Sequence, residues 1–158
     1  MPNILHPSRS APETHDRLSR ELSLPRKRVL VADDQPRMLE AVAAILEESF
    51  DIVDLVSDGQ SALAATLRLE PDLIVLDISM PGMNGLEVAR QLRQRNSRAK
   101  IVFLTIHEDA LIVVSCLVAG GLGYIVKELM DSDLIPAMNE ALAGRIFVSH
   151  FSSEVIST

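Results

Sequence analysis

The sequence is poor in aromatic residues and cysteine: its 158 residues include no tryptophan, one tyrosine and one cysteine. A lone cysteine, Cys116, cannot form a disulfide within the chain, which indicates a reducing compartment. Without tryptophan, and with Tyr124 as the only tyrosine, the chain lacks the aromatic platforms on which single-stranded nucleic acids stack. Its formal net charge of −7 argues further against a nucleic-acid surface on this chain alone.

Long apolar runs are also absent from the sequence. No run approaches the roughly 18 residues that a membrane-spanning helix needs. The N-terminal residues lack the apolar core of a signal peptide. These absences predict a cytoplasmic chain that contacts no membrane and, by itself, no nucleic acid.

The composition divides the chain into three parts. Residues 1–27 contain few large apolar side chains and no sustained hydrophobic period, which predicts a flexible N-terminal arm. Residues 28–144 carry the regular apolar patterns of a folded domain. Residues 145–158 begin with a short apolar patch around Phe147 and then turn polar, which predicts a C-terminal tail or linker stub.

Short apolar runs alternate with helical patterns throughout residues 28–144. The runs cover residues 29–32, 52–56, 73–76, 101–104 and 124–126. This alternation, with short connections and right-handed crossovers, predicts an α/β fold: a doubly wound, five-stranded parallel sheet with helices on both faces. Ser132 or Asp133 is predicted to cap the last helix, with Pro136 in its first turn or just past it.

Polar residues stand where four of these strands end. Asp33 and Asp34 follow the first run, Asp77 follows the third, and Thr105 and Lys127 follow the fourth and fifth. The carboxyl ends of parallel strands share one edge of a sheet, so these side chains should converge there. Crowded carboxylates repel one another unless a cation joins them, and hard oxygen ligands suit Mg²⁺. With a lysine and a hydroxyl alongside, the pattern predicts an aspartyl-phosphate site.

Two other functions use an acidic residue at a strand end. An Asp-nucleophile phosphohydrolase on a related α/β fold usually has a second Asp two residues after the nucleophile. Ser79 stands there in this sequence, which disfavours turnover of external substrates, although this class stays the alternative. A nucleotide-binding protein is disfavoured more strongly, because no Gly-rich phosphate loop follows the first strand.

Four segments resemble the receiver domain of bacterial two-component response regulators. They are VLVADDQP, LIVLDISMPGMNGLE, IVFLTIHED and AGGLGYIVKE. The resemblance covers residues 28–144 and implies a flavodoxin-like fold. Glu128 follows Lys127 where many receivers have proline; with the AG-x-x-GY run, this is similar to the NarL/FixJ subfamily.

The resemblance implies a role for each residue of the phosphoryl site. Asp77 would be the phosphoacceptor, supplied by a histidine kinase or phosphotransfer protein, and Thr105 and Lys127 would contact the phosphoryl group. Tyr124 falls at the switch aromatic, which turns inward when Thr105 is drawn to the phosphate.

The resemblance also implies a set of ligands for Mg²⁺. Asp34 and Asp77 would bind the ion directly, together with the Ser79 carbonyl, while Asp33 would help through a water molecule. The domain would signal rather than act as an enzyme, with Mg²⁺-dependent self-phosphorylation and autodephosphorylation.

The fourth predicted helix, Asp109–Ala119, has almost no polar face. A helix that lies on a sheet with its far side in water should show a polar stripe. Either the arm or the tail around Phe147 covers this helix, or its outer face is an exposed partner surface. We predict self-association or docking of an output partner through Leu111, Val114 and Val118, strengthened by phosphorylation.

Overall fold

Strands and helices alternate along the part of the chain that the structure, a computed structural model, describes, residues 25–150. The elements are β1 Arg28–Ala32, α1 Pro36–Leu46, β2 Asp51–Val56, α2 Gly59–Leu69, β3 Leu73–Leu76, α3 Gly85–Gln94, β4 Lys100–Thr105, α4 Ala110–Val118, β5 Gly121–Val126, α5 Met130–Leu142 and β6 Phe147–Val148. A 3₁₀ turn, Lys127–Leu129, joins β5 to α5. Most of the predicted arm lies outside the described residues. None of the described helices combines the length and apolar character needed to span a membrane.

The strands form one parallel sheet in the order β2-β1-β3-β4-β5-β6. The chain moves outward from β1 to β2, then crosses back past β1 to β3 and continues the other way. Such a reversal leaves a crevice beyond the carboxyl ends of the two central strands, where ligands of open α/β sheets bind. The predicted doubly wound parallel sheet is therefore confirmed.

Each face of the sheet carries its own hydrophobic core. On one face, Leu30 and Ile74 pack with buried residues of α2, α3 and α4. On the other, Val31 and Val75 pack with buried residues of α1 and α5. Side chains alternate between the faces of a strand, so a central strand covered on both sides must be apolar throughout. This requirement explains why β1 and β3 read as continuous apolar runs.

The sheet contains one strand more than predicted. Phe147 pairs with Gly123 and Val148 with Tyr124, which adds β6 to the outer side of β5. The turn before β6 passes through Gly144, whose φ of 77° lies in the left-handed region. The beginning of the predicted tail is thus part of the sheet, while residues 151–158 lie outside the described chain.

The last helix begins earlier than predicted. It starts at Met130, directly after the 3₁₀ turn, and its N-cap residue, Leu129, makes no side-chain capping bond. The Ser132 hydroxyl instead donates to the Leu129 carbonyl at 3.1 Å, so the predicted cap at Ser132 or Asp133 was wrong. Pro136 consequently lies inside the helix, where its missing N–H costs one backbone hydrogen bond.

Candidate functional site

The strand ends place the predicted polar residues side by side. Ala32 pairs with Leu76, so the residues that follow them, Asp33 and Asp77, leave adjacent strands at the same level. The Asp77 N–H donates to the Ala32 carbonyl at 3.0 Å, which extends the ladder by one step and fixes the backbone of the acid. Lys127 leaves β5 at the same edge of the sheet.

The three acidic residues form one cluster at this edge. Asp33, Asp34 and Asp77 each offer a carboxylate oxygen, and these oxygens all lie within 4.8 Å of one another. Asp33 and Asp77 are buried, whereas Asp34 is exposed and opens the cluster to solvent. Burial raises the pKa of Asp77, the charge on Asp33 raises it further, and Lys127 opposes both effects.

Lys127 lies between the two buried carboxylates. Its Nζ donates to Asp77 Oδ2 at 3.3 Å and forms an ion pair with Asp33 Oδ2 at 2.8 Å. Asp33 Oδ1 accepts from the Gln35 N–H at 2.9 Å. Asp33 therefore has a direct cationic partner, which the prediction of a water-mediated role did not include.

The charges at this edge fit a divalent cation. Three carboxylates face one ammonium group, so the cluster carries excess negative charge where burial makes that charge costly. Oxygen is the ligand type that Mg²⁺ takes in proteins, usually from one or two carboxylates with water completing the shell. Asp34 and Asp77 suit that role better than Asp33, because both oxygens of Asp33 already have partners, the Lys127 ammonium and the Gln35 N–H.

Thr105 and Tyr124 both bond the backbone of His107. The buried Thr105 hydroxyl accepts from the His107 N–H at 3.3 Å, and the Tyr124 hydroxyl donates to the His107 carbonyl at 2.6 Å. Tyr124 is fully buried, and that burial raises its pKa. The structure thus joins the two predicted switch residues through one peptide segment, which then leads into α4.

Sequence reasoning missed the side chain of His107. Its Nε2 hydrogen-bonds with Ser79 Oγ at 3.0 Å, which links the loop after β3 to the loop after β4. The two residues are 28 positions apart, so no local pattern connects them. The available signal was a shared offset: Ser79 stands two residues after Asp77, and His107 stands two residues after Thr105.

The outer face of α4 is exposed among the described residues. Leu111, Val114 and Val118 are 76%, 55% and 69% exposed, while Val113 and Cys116 point into the core. Phe147 packs into the core on the other face of the sheet, with α1 and α5. Phe147 therefore does not cover α4, as the sequence had suggested it would; residues 151–158 of the tail and most of the arm lie outside the described residues.

Comparison with known proteins identifies the family. The sequence-family model of the response regulator receiver domain matches residues 29–139. The nitrate/nitrite response regulator NarL of Escherichia coli is 34% identical over 131 residues, which cover 82% of this chain and 61% of that protein. The DNA-binding response regulator MtrA of Mycolicibacterium smegmatis is 39% identical over 118 residues, covering 74% of this chain and 51% of that protein.

A solved structure agrees with these sequence matches. The signal receiver domain of a NarL response regulator from Mycobacterium tuberculosis superposes with a TM-score of 0.74 at 30% identity, covering 77% of this chain and all of that one. The present chain spans between about half and three fifths of the length of the curated relatives described above.

The chain belongs to the receiver-domain family of two-component response regulators. It is accordingly a signalling domain, and the alternative of a phosphohydrolase acting on external substrates is not favoured. The flavodoxin-like fold and the function of a two-component receiver, both implied by the sequence motifs, are confirmed.

Proposed function

We propose that Asp77 accepts a phosphoryl group from a histidine kinase or phosphotransfer protein. The observation that carries this assignment is the contact of Asp77 Oδ2 with Lys127 Nζ at 3.3 Å, inside the acid cluster at the sheet edge. A carboxylate oxygen of Asp77 attacks the phosphorus of a phosphohistidine. The new P–O bond replaces the P–N bond, and the histidine of the donor leaves with the electron pair.

The neighbouring side chains of the chain support this transfer in different ways. Lys127 offers a positive charge to the phosphoryl oxygens, and the Thr105 hydroxyl offers one hydrogen bond. Asp34, Asp77 and the Ser79 carbonyl would hold Mg²⁺, with Asp33 beside them. When bound, Mg²⁺ would neutralise the negative charge of the phosphoryl oxygens.

We assign the same site two further activities. It takes phosphate from small donors such as acetyl phosphate, and it loses phosphate by Mg²⁺-dependent autodephosphorylation. Ser79 occupies the position where phosphohydrolases carry their second acid, so release of the phosphate is an event on the domain itself. Because Cys116 is the only cysteine, we assign this exchange to the cytoplasm.

Acetyl phosphate with Mg²⁺ is expected to add one acid-stable, base-labile phosphate to the wild-type chain and none to Asp77→Asn, because the amide is not a nucleophile. Intact-mass spectrometry measures both. Asp51→Asn, which changes an exposed acid at the start of β2, is the matched control and should be labelled like wild type. Equal labelling of wild type and Asp77→Asn would overturn the assignment of the phosphoacceptor.

Asp34→Ala is expected to weaken Mg²⁺ binding several-fold or more, since only a few protein ligands hold this ion. Isothermal titration calorimetry with MgCl₂ gives the affinity, and Asp51→Ala should leave it unchanged. An unchanged affinity in Asp34→Ala would mean that this exposed acid is not a ligand.

We further propose that phosphorylation acts on α4 through His107. A phosphoryl group on Asp77 draws the Thr105 hydroxyl away from the His107 N–H, while Tyr124 holds the His107 carbonyl. The segment after His107 leads to Asp109, which caps α4 through its carboxylate and the Leu111 N–H at 2.8 Å. A shift of this segment therefore moves the first turn of α4.

The apolar face of α4 is the surface that we expect to respond. Leu111, Val114 and Val118 point to solvent from the same side of the helix, and such patches mark contacts between proteins. We propose that phosphorylation strengthens association of two copies of this chain through them, with an output partner as the alternative occupant.

Wild-type protein is expected to self-associate more strongly with beryllofluoride, which mimics the phosphoryl group, and Val114→Glu should remove this gain by placing a charge in the contact. Sedimentation velocity over a concentration series measures both. Leu67→Glu, on α2, controls for adding an acid at another exposed apolar position. A wild type that stays monomeric with and without beryllofluoride would contradict self-association.

A further inference from the structure

The Ser149 hydroxyl joins three elements near the proposed phosphorylation site. Ser149 directly follows β6 and is 1% exposed. Its N–H donates to the Tyr124 carbonyl at 2.8 Å. Its Oγ accepts from the Val126 N–H at 3.2 Å and donates to Asp133 Oδ2 on α5 at 2.8 Å. The hydroxyl thus both accepts and donates a hydrogen bond.

The hydroxyl replaces a backbone group that β6 does not supply. In a parallel ladder, a strand that accepts a bond at one carbonyl donates from the N–H two residues later, on the same side. Val126 is that residue after Tyr124, and the side chain of Ser149 accepts its bond. A buried N–H without a partner is costly, so Ser149 completes the end of β5.

These contacts hold the backbone on both sides of Lys127. Val126 precedes the lysine, and the 3₁₀ turn that begins with Lys127 leads directly into α5, where Asp133 lies. The Ser149 hydroxyl therefore bonds both the residue before Lys127 and the helix that follows it.

We infer that Ser149, with Asp133, is a positioning residue for Lys127. By holding Val126 and the first turn of α5 together, the hydroxyl aims the ammonium group at Asp33 and Asp77. This inference rests on the proposed function, because the lysine must serve phosphoryl transfer for its position to matter. The inference also couples the pairing of β6 with β5 to the site. Separation of β6 from β5 would displace the Lys127 ammonium, and contacts that hold the ammonium in place would in turn stabilise the pairing of β6.

The test compares Ser149→Ala and Ser149→Thr in the full chain, with acetyl phosphate and saturating Mg²⁺. We expect Ser149→Ala to take phosphate about tenfold more slowly, because small misplacements of a catalytic group are costly. Saturating Mg²⁺ removes any change in metal affinity from the measured rate. Ser149→Thr, which keeps the hydroxyl, should recover most of the rate.

A double-mutant comparison separates positioning from general support of the fold. In a Lys127→Ala background, followed over hours by intact-mass spectrometry, Ser149→Ala should cause no further loss, because the group it positions is gone. Arg145→Ala, in the turn between α5 and β6, is the control. It removes an exposed ion pair with Glu140 and should not change the rate.

The Ser149 variants test the positioning role, and labelling of the wild-type chain tests the proposed function. The positioning role would be overturned if Ser149→Ala took phosphate at the wild-type rate. It would also be overturned if Ser149→Ala slowed phosphorylation as much in the Lys127→Ala background as in wild type. Failure of Ser149→Thr to recover any of the rate would also count against it. A wild-type chain that takes no phosphate on Asp77 would overturn the proposed function itself, whatever the Ser149 variants do.

Discussion

A Lys127→Met variant is expected to take phosphate from acetyl phosphate about a hundredfold more slowly than wild type, since it loses the charge that faces the phosphoryl oxygens. It should also be less stable by about 3 kcal/mol, the cost of leaving a buried charge without its partner. Methionine keeps much of the length of lysine, so the change in packing is small. Both effects follow from the position of Nζ between Asp33 and Asp77.

The loss of stability should depend on pH in a defined direction. Burial and Asp33 already raise the pKa of Asp77, and removal of Lys127 raises it further. A carboxyl group whose pKa is raised by folding destabilises the fold above that pKa, and the cost disappears as the pH falls toward its ordinary value. The difference in unfolding free energy between Lys127→Met and wild type should therefore narrow as the pH falls from neutral toward the ordinary pKa of an aspartate.

Urea unfolding followed by circular dichroism at several pH values measures this gap. Lys100→Met, at the exposed start of β4, is the control for removing one positive charge from the chain and should lose little stability. Equal stabilities of Lys127→Met and wild type at neutral pH would mean that the lysine does not compensate the two buried carboxylates.

Gly85→Ala is expected to lose both stability and phosphorylation. A Cβ at this position would lie 2.1 Å from the Asp77 carbonyl oxygen and 2.9 Å from Ile78 Cα. Both atoms belong to the backbone, so no side chain can rotate away and the loop itself must move. The bond from the Gly85 N–H to the Ile78 carbonyl, 2.8 Å long, would be lost with it. We expect destabilisation of about 3 kcal/mol.

Phosphorylation should suffer because the clash falls on the phosphoacceptor's own peptide group. Moving the Asp77 backbone moves its carboxylate away from Lys127, so labelling by acetyl phosphate should be slowed by at least about a hundredfold. Gly82→Ala is the matched control on the same loop. Its Cβ would meet open space, and its φ of 74° should cost only about 1 kcal/mol. Urea midpoints and mass spectrometry compare the two variants; similar values for both would contradict the steric argument.

The central strands and the acid cluster were predictable because each has a local signature. β1 and β3 are apolar throughout, and a strand covered on both faces permits nothing else. Asp33, Asp77 and Lys127 stand directly after strands, so the parallel topology alone brings them to one edge. What the sequence could not give was the arrangement within the cluster, in which Lys127 approaches Asp33 more closely than Asp77.

The missed features depend on contacts between distant residues. β6 is two residues long, and its pairing with β5 leaves no period in the sequence. The start of α5 was misplaced because Ser132 bonds the carbonyl of Leu129 rather than a free N–H. The bond between Ser79 and His107 joins two loops, and the offset that both residues share from their strand ends does not by itself indicate a contact.

The small buried surface of α4 affects local unfolding of the domain. Only Val113 and Cys116 of this nine-residue helix are buried, whereas α3 and α5 each bury four residues. Local opening costs least where little apolar surface is lost, so amide protons of α4 should exchange with solvent through partial unfolding that leaves the sheet intact. Because α4 buries so little surface, a small free energy, such as one phosphoryl group supplies, can shift the equilibrium between two positions of the helix.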